Sequence, residues 1–480
     1  MKRVAIVGGG ISGLAAAFYL ERERRRGAEV EYTLFESAPR LGGVMWSDRV
    51  EGCLIEAGPD SFLTEKPWAN TLCRDLGIED QLVGSNDDAR KTFILLKGRL
   101  VQMPDGLMFM VPTKLLPTLF TPLFSWAAKM RMAGELLTRP RAMEGDESAA
   151  DFVARHFGEE VVDRLADPLL SGVYGGDAGS LSVKAVLPRF VEMEAKYGSL
   201  SRGMLKARSR MKAAMAQAPP SERRGKPLFT SMKDGMQQLV DAVVAQLDPR
   251  ALRLSTAVRG LQFRDDQWLV LNQGSGPEPF DHVIVATPGY AAGALLQEVS
   301  PRLANVLNEI PYSSSVTVAL GYNANQFKRE PEGFGFLVPW SEKKRMRACT
   351  YVHNKFPHRA PPEKRLLRVF LGGTRDKEVL ALSDLEILST VRRELKEITG
   401  LDAEPRFTRV YRWNRAMAQY SVGHLERVAE IERLRRELRG LSLAGNAFKG
   451  IGVPDCVRTG MDAAGEALGV SLTAEAPASR

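Results

Sequence analysis

Two features near the start of the chain could do chemistry, the run Gly8-Gly9-Gly10-Ile11-Ser12-Gly13 and the acid Glu36. A G-x-G-x-x-G run suits a dinucleotide pyrophosphate when it joins a strand to a helix. The first glycine makes the turn, the second lets backbone approach the phosphates, and the third lets the helix pack closely. The helix N-terminus then presents free N–H groups and the positive end of its dipole. The neighbours supply that setting: residues 2–7 read as a buried parallel strand and 14–20 as a helix. A second strand, 31–35, ends at Glu36, 23 residues past Gly13, near the roughly 20 at which a carboxylate meets an adenosine ribose. Two more glycine turns follow, Ser37-Ala38-Pro39-Arg40-Leu41-Gly42-Gly43 and Glu56-Ala57-Gly58-Pro59-Asp60-Ser61.

The rest of the chain must position these residues. Its 480 residues suggest two or three domains, and 44% hydrophobic with 26% charged residues is the balance of a folded globular protein. A net charge of +8 is compatible with an anionic small molecule or an acidic lipid surface. No nucleic-acid module is present, so nucleic acid is not an expected partner. Cys53, Cys73, Cys349 and Cys456 are scattered, and the five histidines lack ligand spacing. Reduced thiols and no metal are therefore expected. The N-terminal apolar run is cut short by glycines, which fits neither a signal peptide nor a membrane span. A cytoplasmic location follows as an expectation.

Residues 107–132 are strongly apolar, but only the fourteen residues 115–128 lie between Lys114 and Lys129, and Pro112, Pro117 and Pro122 interrupt the run. That is too short to cross a bilayer. A helical lid over substrate and a peripheral membrane patch with Trp126 at headgroup level are the two alternatives. Residues 151–170 and 184–216 read as helices around a glycine-rich break, Ser171-Gly172-Val173-Tyr174-Gly175-Gly176-Asp177. Strands are expected at 252–263, 268–272 and 281–286. The short apolar runs 315–322, 335–338, 348–352 and 368–372 suggest a sheet able to wall a planar ligand. A last strand, 441–444, leads to Gly450-Ile451-Gly452-Val453-Pro454-Asp455-Cys456, which opens another helix toward an anionic group.

An acid followed by an R-x-G-G turn resembles the flavoprotein superfamily of amine oxidases, phytoene desaturases and protoporphyrinogen oxidases. The resemblance runs over essentially the whole chain. Lys233-Asp234-Gly235 and Asp281-His282-Val283-Ile284-Val285-Ala286-Thr287-Pro288 resemble two further superfamily segments. S-G-V-Y-x-G-D at 171–177 and G-F-G-x-L-V-P at 333–339 resemble the porphyrinogen oxidases in particular. The fold implied is α/β, a discontinuous Rossmann-like FAD-binding domain with a mixed-sheet substrate domain and a helical insertion. The FAD-binding domain is expected at 1–90, 226–300 and 406–480, the helical region at 91–225 and the substrate sheet at 301–405.

The resemblance implies FAD held by Gly8, Gly9, Gly10, Ile11, Ser12, Gly13, Glu36, Ser37, Gly42, Gly43, Gly58, Pro59, Asp60, Ser61, Val258, Trp413, Ile451, Gly452 and Val453. It implies substrate contacts from the Gly172 carbonyl and from Phe334, Leu337 and Phe370, with core packing as the plainer reading of the apolar residues. Thr92 stands where many protoporphyrinogen oxidases place a propionate-binding arginine, with Arg90 and Lys91 beside it. This departure and the MPDGLM and VPTK segments tilt the expectation to six-electron oxidation of coproporphyrinogen III, with protoporphyrinogen IX as the alternative. An amine oxidase or carotenoid desaturase is the more distant alternative. Molecular oxygen is the expected acceptor, with hydrogen peroxide as by-product. The ring system gains aromaticity, so positioning matters more than proton transfer and no catalytic acid or base is assigned. A homodimer is left open beside a monomer.

Overall fold

The structure, a computed structural model, describes residues 1–472 except 109, 113–114, 142–143, 218–225 and 275. The chain divides into two compact units, residues 1–85, 227–311 and 426–480 in the first and 86–226 and 312–425 in the second.

In the first unit Lys2–Val7 buries Val4, Ala5 and Ile6 completely. It pairs in parallel with Val30–Phe35 on one side and His282–Val285 on the other, and Leu252–Arg253 and Leu441–Leu443 complete a five-stranded parallel sheet. Parallel strands need crossover segments, which cover the sheet faces and bury central residues such as Val4 to Val7 and Val283 to Val285. The Ile11–Arg25 and Val453–Leu468 helices share its core through Leu14, Leu20, Val457 and Met461. They approach so closely that a methyl on Gly460 would overlap the Ser12 carbonyl oxygen. Two antiparallel three-stranded sheets flank this layer. One is Val258–Arg264, Gln267–Asn272 and Glu278–Phe280; the other joins Phe62–Leu63, Phe229–Met232 and Leu82–Gly84.

The second unit is built on a mixed seven-stranded sheet, in the order Phe407–Ala418, Tyr312–Asn323, Lys364–Gly372, Met346–Tyr351, Gly335–Leu337, Thr92–Leu96 and Arg99–Gln102. Its pairs are antiparallel except that between Gly335–Leu337 and Thr92–Leu96. Val316, Val318, Phe336, Cys349, Tyr351 and Val369 fill the core on one face of the sheet. A second core, with Phe152, Phe157, Leu165 and Leu170, gathers the helical residues, and Ile94 joins it from the sheet.

Several expected boundaries move. Thr92–Leu96 and Arg99–Gln102 are sheet strands rather than part of a helical region. The strand Phe407–Ala418 pairs along Tyr312–Asn323, so 406–425 lie in the second unit, whereas 301–311 lie in the first. Only hydrogen bonding between distant segments decides such membership. The strand expected at 252–263 is split: Leu252–Arg253 joins the parallel sheet, Val258–Arg264 joins an antiparallel one, and Ser255 at φ 51° makes the break. Within the apolar stretch, Leu115–Phe120 and Trp126–Gly134 are helical, and positions 109 and 113–114 fall outside the described residues.

Candidate functional site

The glycines of the first turn have separate jobs, visible in what a side chain would meet. Gly8 has φ 108°, and a Cβ there would lie 2.8 Å from the Ala286 carbonyl oxygen. A Cβ on Gly13 would overlap the Gly8 carbonyl oxygen, so Gly13 lets the helix seat against the turn. At Gly10 nothing lies within 4 Å of the Cβ position. That gap lies at the N-cap of the Ile11–Arg25 helix, whose first turn has no side-chain cap. Backbone N–H groups beside an open space are the arrangement that takes a pyrophosphate.

Glu36 closes the turn from the neighbouring strand. Its Oε2 accepts the Gly9 N–H at 2.7 Å and its Oε1 the Ala38 N–H at 2.7 Å, with the Ser37 hydroxyl 3.2 Å away. Thr256 and Ser255 N–H groups donate to the carbonyls of Glu36 and Ala38 at 2.8 and 3.0 Å, which brings the start of the Val258 strand beside the acid. Gly42 N–H donates to the Gly9 carbonyl at 2.8 Å, and a Cβ on Gly43 would lie 3.3 Å from Gly10 Cα. The 42–43 turn is therefore laid along the first.

Arg40, quoted in the sequence motif without a role, organises that turn. Its guanidinium donates to the carbonyls of Leu41, Gly43 and Met45 and lies 5.1 Å from the Trp46 ring centre. Burial pulls its pKa below the usual arginine value, and the nearby Glu36 carboxylate opposes that shift. The 58–61 turn is positioned by packing: a Cβ on Gly58 would overlap the Val44 carbonyl oxygen, and the Asp60 carbonyl accepts the Ser231 hydroxyl at 2.7 Å. Buried Glu56 accepts the Met236 N–H at 2.8 Å and the Ser47 hydroxyl at 2.7 Å, tying this turn to the segment that follows Lys233-Asp234-Gly235. Ile451, Gly452 and Val453 sit at the start of the last helix, with Gly452 as its N-cap. The residues fit a dinucleotide because the Gly10 position is open where every neighbouring glycine is closed.

In the second unit Gly172 lies in the last turn of the Asp167–Tyr174 helix, not in the loop expected at 171–177. The left-handed Gly175, at φ 60°, ends the helix. The Ser171 carbonyl accepts the Gly175 N–H at 2.8 Å and the Tyr174 carbonyl accepts the Gln419 side-chain amide at 2.7 Å. The Gly172 carbonyl, past the reach of the helix ladder, accepts no hydrogen bond from the described residues. A Cβ on Gly172 would stand 3.7 Å from Leu337 Cδ2.

Cross-strand register carries Leu337 to Ala348, Ala348 to Phe370, Phe370 to Thr317 and Thr317 to Tyr411. Paired residues share a sheet face, so Leu337 and Phe370 face the same way. Trp413, two residues beyond Tyr411, and Thr92, two before Ile94, fall on that face too. Phe334 does not join the row. It precedes its strand, and its backbone is bonded to Lys91 and Tyr351. Phe336 beside it is buried in the opposite core. Lys91 is paired with Glu332 at 3.1 Å on the surface. Sequence reasoning missed the clamp by Gln419, whose amide also reaches Ser313 Oγ at 2.9 Å and holds the 174–176 turn against the sheet. His282 is a structural residue: its Nε2 lies 2.9 Å from the Ser442 hydroxyl, and burial lowers its pKa to about 3. Among the described residues no cluster of His, Cys, Asp and Glu could hold a metal.

The family model for flavin containing amine oxidoreductases matches residues 11–468. The chain belongs to that family. Within it, the chain is 37% identical over 471 residues to coproporphyrinogen III oxidase of Bacillus subtilis (strain 168), covering 97% of this chain and 98% of the relative. It is 30% identical to coproporphyrinogen III oxidase of Staphylococcus aureus (strain NCTC 8325 / PS 47), covering 97% and 99%. A crystal structure from Exiguobacterium sp. 255-15, provisionally named a protoporphyrinogen oxidase, superposes with a TM-score of 0.84 at 31% identity, covering 97% of this chain and 98% of that one. The flavoprotein membership expected from the R-x-G-G turn therefore holds, and a flavin is the family's cofactor.

Proposed function

We propose that this flavoprotein oxidises coproporphyrinogen III to coproporphyrin III, with FAD held by the turns of the first unit. One observation carries the reading: Gly172, whose carbonyl accepts no hydrogen bond from the described residues, has its Cβ position 3.7 Å from Leu337 Cδ2, and Leu337 shares a sheet face with Phe370. A reduced macrocycle is a broad apolar disc with pyrrole N–H donors, and this surface offers a wall and an acceptor for it. The name of the Bacillus relative favours coproporphyrinogen III over protoporphyrinogen IX. When bound, FAD supplies a hydride acceptor. The chain's own residues orient the macrocycle and exclude water. Six electrons leave the substrate in three two-electron steps, and dioxygen takes them as hydrogen peroxide. The expected result is porphyrin fluorescence from coproporphyrinogen III under air, with kcat/KM at least about tenfold above that for protoporphyrinogen IX. Turnover of amines with no porphyrin formed by the yellow protein would reverse the assignment.

A cytoplasmic enzyme with peripheral membrane contact is the location we propose. Leu116, Phe120, Trp126, Met130 and Leu137 are all exposed within the 115–137 segment, and the Lys129 ammonium lies 4.7 Å from the Trp126 ring centre. No helix of the described residues is long and apolar enough to cross a membrane. Exposed apolar side chains in one segment, with a cation beside the indole, suit the headgroup boundary of an anionic bilayer. Wild-type protein is expected to float with vesicles containing phosphatidylglycerol, and F120S/W126S/M130S to bind at least about tenfold more weakly, since each large apolar side chain contributes about 2 kcal/mol of transfer. Equal flotation of the two proteins would leave the helical-lid alternative.

A further inference from the structure

Asp455, in the first turn of the Val453–Leu468 helix, is only 3% exposed. Its Oδ2 accepts the Gly452 N–H at 3.3 Å and lies 2.5 Å from Lys66 Nζ, contributed from 389 residues away in the chain. Gly450, at φ 121°, has no room for a side chain because a Cβ would overlap the Asp455 carboxyl group. The 450–453 backbone is thus folded directly onto a buried carboxylate. Among the described ion pairs, Asp455 makes only the one with Lys66.

A helix N-terminus carries about half a positive charge, which a full carboxylate in the same turn outweighs. Adding the Lys66 ammonium makes the sum positive again. We propose that Lys66 is a positioning residue for the cofactor: by pairing with Asp455 it keeps the 450–453 turn electropositive toward the reduced, anionic flavin ring. The proposal rests on the flavin reading of this helix. Oxidised flavin carries no charge on its ring system and the reduced form carries a negative one. Loss of the cation therefore penalises the reduced form and lowers the reduction potential.

The test is anaerobic reductive titration of the yellow holoprotein against a reference dye. At fixed dye potential, Lys66→Met is expected to lower the ratio of reduced to oxidised flavin about tenfold, equivalent to about 1.4 kcal/mol. Lys66→Arg is expected to keep the wild-type ratio. Lys66→Met combined with Asp455→Asn is expected to recover it to within about threefold, because both charges are gone. A purely structural ion pair would change the melting temperature of these variants without this pattern. An unshifted Lys66→Met potential, or a double variant as low as the single one, overturns the proposal. Flavin lost from Lys66→Met but regained in the double variant supports it, and flavin lost from both overturns it. A wild-type protein that takes up no FAD would instead refute the flavin reading, so the two failures are distinguishable.

Discussion

Gly10→Ala is expected to give a folded protein that binds FAD about 10- to 200-fold more weakly. Gly10 has φ −71° and ψ 175°, a conformation alanine adopts freely, and nothing lies within 4 Å of its Cβ position. The cost to the apoprotein is therefore confined to a poorer helix cap, about 1 kcal/mol. A methyl group placed where the backbone must meet a pyrophosphate has no such freedom, and overpacking of this size costs about 1–3 kcal/mol. Gly13→Ala gives the contrast. Its Cβ would overlap the Gly8 carbonyl oxygen, so it should lower the melting temperature of the apoprotein and FAD affinity together. The checks are apoprotein melting and FAD titration by flavin fluorescence. Full FAD affinity in Gly10→Ala would remove the first turn from the cofactor site.

The second large effect is at Gly172, where alanine is expected to separate stability from activity. The residue sits in a helical turn, where replacing glycine by alanine stabilises by about 0.5–1 kcal/mol. The new methyl, 3.7 Å from Leu337 Cδ2, meets no clash inside the protein. It does narrow the slot where the Gly172 carbonyl would meet a pyrrole N–H, and one methyl in a fitted apolar pocket changes kcat/KM by about 10- to 200-fold. Thermal melting should show equal or greater stability, while porphyrin formation from coproporphyrinogen III falls by that factor. Unchanged turnover in a well-folded variant would exclude Gly172 from the substrate surface.

The first glycine turn and the strand end at Glu36, which we propose hold the cofactor, were legible as structure in the sequence because they lie close together in the chain. Gly8, Gly10 and Gly13 lie within one strand-turn-helix and Glu36 ends the next strand; Gly13 is required by a contact only five residues back, since its Cβ would overlap the Gly8 carbonyl oxygen. The buried part of the Lys2–Val7 strand, Val4 to Val7, announces itself in the same way, as a local apolar run. What the sequence could not decide is which distant segments share a hydrogen-bond ladder or a charge. The Phe407–Ala418 strand has a weak burial pattern and takes its place only by pairing with Tyr312–Asn323, which moved the expected boundary at 406. The row through Leu337, Phe370 and Trp413, the Gln419 clamp on Tyr174 and the Lys66–Asp455 pair each join residues far apart in the chain. Periodicity reports which way a side chain faces within its own element. Which partner it meets is set by the packing of whole elements, and that information exists only once the chain has closed on itself.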